Sequence, residues 1–84
     1  MIEKHQFYID GQWVDPKDGR THHVIDPSTE EPCAAITLGG QADTDAAVAA
    51  ARAAFPGWMA TPPAERIALL EKLLETYKRR WDEM

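Results

Sequence analysis

Phe7-Tyr8-Ile9-Asp10-Gly11-Gln12-Trp13-Val14 consists of two short β-prone runs separated by an Asp-Gly pair. That pair favours the positive φ angles of a two-residue type I′ turn, so the stretch predicts a β-hairpin with Ile9 opposite Gln12 and Tyr8 opposite Trp13. The aromatic pair would hold the register. Working outward, Asp15-Pro16-Lys17-Asp18-Gly19 breaks the pairing, and Thr21 to Ile25 reads as a third strand. The turn Asp26-Pro27-Ser28-Thr29-Glu30-Glu31-Pro32 then leads to a returning strand over Cys33 to Leu38. Gly39-Gly40 ends that strand. These glycines match no dinucleotide fingerprint, which assigns them to a backbone turn rather than a phosphate cradle.

Beyond the glycines the pattern becomes helical. Asp43 or Asp45 can accept hydrogen bonds from the free amides that open a helix, so a first helix is expected over residues 43–55. Val48, Ala51 and Phe55 form its narrow apolar face, and Pro56-Gly57 should stop it. Thr61-Pro62-Pro63 offers a hydroxyl cap and prolines suited to a first turn, opening a second helix over residues 62–84. Its apolar stripe, Ile67, Leu70, Leu74, Tyr77 and Trp81, is broadened by Leu69 and Leu73 and needs a large partner surface. No glycine, proline or asparagine stop precedes Met84, so this helix reads as cut. The expected fold class is α/β: short antiparallel strands or hairpins over residues 1–40, then two helices, not complete in itself.

Size and charge narrow the function. A chain of 84 residues makes one small domain that buries only about two thirds of its unfolded surface. A net charge of −5, from 9 basic and 14 acidic residues, opposes nucleic-acid binding, which needs a concentrated basic face. The one basic run, Lys78-Arg79-Arg80, is splayed around a helix and flanked by Glu75, Asp82 and Glu83. No apolar run approaches the ~20 residues that span a bilayer, and Met1-Ile2-Glu3-Lys4-His5 lacks a secretion signal. A cytoplasmic protein with no membrane partner is expected. A single cysteine, Cys33, allows no internal disulfide and agrees with a reducing compartment.

Few residues suggest chemistry of their own. Cys33 lies among small apolar residues beside Glu30 and Glu31, with nothing in sequence to activate a thiolate. His22 and His23 project to opposite faces of a strand and cannot chelate one ion, and His5 adds no ligand spacing. Glu30-Glu31 reads as a polar turn without an acid/base partner. Trp13, Trp58 and Trp81 fit the hairpin, the interhelix turn and the helix stripe as packing residues.

The ordered series of the Phe7–Val14 hairpin, Val24-Ile25-Asp26-Pro27-Ser28-Thr29-Glu30-Glu31, the Asp43–Phe55 helix, Trp58, and Glu65-Arg66 with Leu69-Leu70 resembles the amino-terminal segment of the aldehyde dehydrogenase superfamily. Two positions depart from it. Asp26 stands where the family usually has asparagine, and Pro62 where many members have a serine that forms a capping box with the glutamate matching Glu65. The resemblance implies a parent enzyme that oxidises an aldehyde to a carboxylic acid with NAD or NADP through a cysteine thioester. Its nucleophile, general base, oxyanion hole and cofactor contacts would all lie outside these residues. Such a segment would be structural, packing on a Rossmann-like cofactor domain of a homodimer or homotetramer. The resemblance also implies a Na+ or K+ site through the main-chain carbonyls of Val24 and Ile25. The reading from another class is a free-standing interaction module that uses the Leu/Trp helix stripe.

Overall fold

The computed structural model describes residues 1–84. In chain order the elements are β1 (Ile2–Lys4), β2 (Phe7–Ile9), β3 (Gln12–Val14), β4 (Arg20–Ile25), β5 (Pro32–Leu38), α1 (Gln41–Met59), α2 (Pro63–Arg79) and a 3-10 turn over Trp81–Glu83. They divide into two units, Met1–Ala54 and Phe55–Met84, with the division inside α1 next to Pro56.

In the first unit the Asp-Gly turn forms with φ of 55° at Asp10 and 73° at Gly11, the left-handed values that a type I′ turn requires. β2 and β3 pair antiparallel with Tyr8 opposite Trp13 and Ile9 opposite Gln12. The Tyr8 and Trp13 ring centroids lie 5.2 Å apart, within the range of a favourable aromatic pair. A separate sheet has the order β1-β5-β4. β4 and β5 form the expected antiparallel pair, from Arg20 opposite Leu38 to Ile25 opposite Pro32. β1 adds a parallel strand, with Ile2 opposite Ala34 and Lys4 opposite Ile36. This strand was not expected, because Ile-Glu-Lys is short and its pairing exists only once β5 is in place. Ala35 on the central strand is the one buried apolar residue, 4% exposed.

The corner between β5 and α1 is tightly occupied. A Cβ on Gly40 would collide with the Asp18 carboxylate and lie 2.6 Å from the Asp18 carbonyl oxygen. A Cβ on Gly19 would meet Thr37 Cγ2 at 2.5 Å and Pro16 Cβ at 2.7 Å. Gly40 is thus needed for close approach of the 15–19 loop and does more than punctuate the chain. Gly40 also precedes the helix, and its carbonyl accepts from Thr44 N–H at 3.1 Å. α1 therefore begins at Gln41, earlier than expected. Asp43 lies in the first turn and reaches back to the Gly40 amide at 3.4 Å, one half of a capping box. Asp45 instead accepts from the Gln41 side chain at 2.7 Å.

α1 continues through Pro56 to Met59, so the expected stop at Pro56-Gly57 is corrected. Proline has a helical φ, and near a helix end the single amide bond it removes is tolerable where water can solvate the freed carbonyl. The stop comes later. Thr61 donates its amide to the Trp58 carbonyl at 3.0 Å and its hydroxyl to the Gly57 carbonyl at 2.9 Å. The Thr61 hydroxyl thus serves the end of α1 and does not cap the start of α2. That start has no side-chain cap; the Pro62 carbonyl accepts from the amides of Glu65 at 3.1 Å and Arg66 at 3.2 Å. Nor does α2 run to Met84 as expected. Arg80, at φ −104° and ψ 23°, leaves the helix, and its guanidinium pairs with Glu83 across the 3-10 turn.

Candidate functional site

Val24 and Ile25, the two carbonyl candidates, end β4 at a β-bulge. The register passes from Val24 opposite Ala34 to Ile25 opposite Pro32, which leaves Cys33 as the extra residue of β5. A bulge disrupts the ladder locally and bends its strand, and Pro32 has no N–H to contribute. The Cys33 thiol donates to the Val24 carbonyl at 3.4 Å, a weak bond that leaves that oxygen a second lone pair. Next in sequence, Asp26 Oδ1 accepts from the Ser28 amide at 2.8 Å and hydroxyl at 2.7 Å. The Ser28 hydroxyl first, then its amide, hold the Asp26 carboxyl below the usual carboxylate range. An asparagine oxygen could accept the same bonds, so the Asp26 departure leaves this turn intact. The turn closes with Asp26 N–H donating to the Glu31 carbonyl at 2.9 Å and Glu30 N–H to the Asp26 carbonyl at 2.8 Å.

The residues considered for chemistry remain apart. Cys33 is exposed, and its partner is a backbone carbonyl, not a base. His22 and His23 pair with Ile36 and Ala35 respectively, while His5 Nδ1 lies 2.8 Å from Thr37 Oγ1. No three His, Cys, Asp or Glu side chains are placed to share a metal ion. The start of α1, the one helix opening after a strand and two glycines, is already filled by the Asp43 and Asp18 carboxylates. Two anions there do not fit a dinucleotide's phosphates, which need open amides and a positive field.

What the chain does present is apolar surface. On α2, Leu70 is 63%, Leu74 51% and Tyr77 40% exposed, and Trp81 in the 3-10 turn beyond it is 62% exposed. The Tyr77 and Trp81 rings meet edge to face at 5.3 Å, but the Leu stripe has no cover. A groove of ≈ 520 Å³ is lined by Trp58, Pro63, Ile67, Leu69, Leu70 and Leu73 within the second unit. Sequence periodicity located this face, but not the groove to which Trp58 contributes.

Residues 13–84 match the aldehyde dehydrogenase family. The chain belongs to that family. It is 44% identical over its whole length to a 3-succinoylsemialdehyde-pyridine dehydrogenase from Pseudomonas sp., of which it covers 18%. Over 88% of its length it is 38% identical to a 3,6-anhydro-alpha-L-galactose dehydrogenase from Vibrio sp. strain EJY3, of which it covers 15%. A crystal structure of aldehyde dehydrogenase from Bartonella henselae superposes on 95% of the chain with a TM-score of 0.83 and 50% identity, and 17% of that protein is covered. The chain thus spans less than a fifth of the length of these aldehyde dehydrogenases. Its two small sheets and two helices are an α/β arrangement that matches one part of an aldehyde dehydrogenase. No helix in it is long and apolar enough to cross a membrane.

Proposed function

We propose that residues 1–84 are the amino-terminal segment of an enzyme that oxidises a small aldehyde to a carboxylic acid with NAD+ or NADP+, through a thioester on a cysteine outside these residues. The segment's own role is structural: it carries no catalytic or cofactor-binding residue and offers the α2 face to the remainder of the enzyme chain. The observation that carries this reading is the family match over residues 13–84, joined to the exposed Leu70, Leu74 and Tyr77 of α2 and Trp81 just past its end. A cytoplasmic location and assembly as a homodimer or homotetramer belong to the same reading. The test is to assay the full-length protein for aldehyde-dependent reduction of NAD+ and NADP+ across aliphatic, aromatic and sugar-derived aldehydes. Turnover with at least one pair is expected; none with any pair would overturn the assignment.

The reading includes a monovalent cation, Na+ or K+, held in part by the main-chain carbonyls of Val24 and Ile25. Two consecutive carbonyls at a bulged strand end support it, since hard cations take oxygen ligands. Hard cations need several oxygens, so the others would come from outside these residues. Thallium soaked into crystals of the full-length enzyme in place of potassium should give an anomalous peak beside these two carbonyls. Water alone at that position, with thallium bound elsewhere, would remove the site.

A further inference from the structure

We propose that Asp43 is a latch, whose carboxylate holds the 15–19 loop as a strap against the start of α1 and so fixes the β2–β3 hairpin beside the three-stranded sheet. No strand of the hairpin pairs with that sheet, so the hairpin must be positioned in some other way. The loop that follows it supplies the means. Lys17 N–H donates to Asp43 Oδ1 at 2.8 Å and Asp18 N–H to Oδ2 at 3.2 Å, while Gly40 N–H also donates to Oδ2 at 3.4 Å. One side chain, 6% exposed, thereby joins amides from two separate segments. Glycine at position 40 is what lets the strap come this close, and Gln6 Nε2 anchors the near end of the loop by donating to Asp15 Oδ1 at 3.0 Å. Phe7, at the hairpin's opening, lies over Gly39, where a Cβ would be 3.2 Å from Cε2 of its ring.

The latch depends on charge, because only the ionised carboxylate can accept from every side, whereas its acid form must turn one oxygen into a donor facing N–H groups. Lys17's amide first, then those of Gly40 and Asp18 and the Lys17 charge, hold the Asp43 carboxyl below its usual range against the opposing effect of burial. A depressed folded-state value stabilises the fold above the ordinary aspartate range and loses that contribution as the pH falls through the depressed value. The carboxylate's contribution is therefore in place at neutral pH and is lost in acid. The other charged or titratable groups beside it are Asp15 and Asp18 of the strap, Asp10 of the hairpin turn, which lines the same cavity as Asp43, and Asp45 on α1, which is engaged by Gln41.

Residue-resolved amide hydrogen exchange on the full-length protein at neutral pH tests the latch. In the wild type, after correction for intrinsic rates, the amides of Lys17 and Asp18 should exchange at least about tenfold more slowly than the amide of Gly11 in the exposed hairpin turn. In Asp43→Asn they should exchange about tenfold or more faster than in the wild type, while Ala35 and Ile36 on β5 keep their wild-type rates. Equal rates at Lys17, Asp18 and Gly11 in the wild type would overturn the proposal. So would no change in the variant, or an equal rise on β5, which marks a general loss of stability. The wild-type comparison stands even if the variant fails to fold.

Discussion

Purified as 84 residues, the chain should reduce neither NAD+ nor NADP+ with any aldehyde, while the full-length enzyme should do so steadily. Oxidation through a thioester needs a thiolate with an activating base or charge beside it and a bound cofactor in line. Cys33 meets neither need, since its thiol donates to the Val24 carbonyl and lies on a bulge of β5. The same geometry sets the expectation for Cys33→Ala in the full-length enzyme: kcat within about twofold of wild type, because the thiol's hydrogen bond is a weak one to a backbone carbonyl. Aldehyde-dependent turnover by the purified 84 residues, abolished by Cys33→Ala, would place the nucleophile in this segment and overturn its structural role.

Leu74→Ala should cost the full-length enzyme about 2–5 kcal/mol, the range for removing a buried leucine and leaving a cavity. In the 84 residues alone the same change should cost far less, because Leu74 is 51% exposed there. Denaturant unfolding of both variants against their parents measures the difference. A large loss in the full-length protein and a small one in the segment would show that the stripe is covered by the rest of the enzyme. Equal losses would mean that α2 is packed within these residues, against the proposed role.

The hairpin was legible in the sequence because its determinants are local. Asp10-Gly11 specifies the turn, and the turn then fixes Tyr8 opposite Trp13. The α2 stripe was legible for the same reason: its period is written in Ile67, Leu70 and Leu74, whether or not anything covers them. What escaped the sequence was set by distant residues or by context. β1 forms only against the far-off strand β5. Asp43 reads as a helix-start acid, yet its shortest hydrogen bonds come from the amides of Lys17 and Asp18, 26 and 25 residues away. An acid three positions after Gly40 is the signal of half a capping box, and nothing in the sequence tells that the 15–19 loop folds onto it. Pro56 was a misleading stop, because breaker strength depends on position and solvent, which a local pattern does not contain. The carbonyls of Val24 and Ile25 carry no side-chain signature, since any residue supplies a carbonyl. Only the family resemblance pointed to them.

In the proposed role, this segment's apolar face is completed by the rest of an aldehyde dehydrogenase. Covering each large side chain of the stripe contributes about 1.5–3 kcal/mol, so leaving Leu70, Leu74, Tyr77 and Trp81 open forgoes a sum comparable with the whole stability of a small domain. Ala35 alone is buried among the apolar residues, which leaves little to compensate. The most direct measurement is a thermal melt of the purified 84 residues over a hundredfold dilution series, with mass followed by sedimentation. The expected result is a weak, poorly cooperative transition, or one that falls to lower temperature on dilution as self-associated α2 faces come apart. A cooperative, dilution-independent melt of a monomer at an ordinary mesophilic temperature would contradict the account and favour a free-standing interaction module.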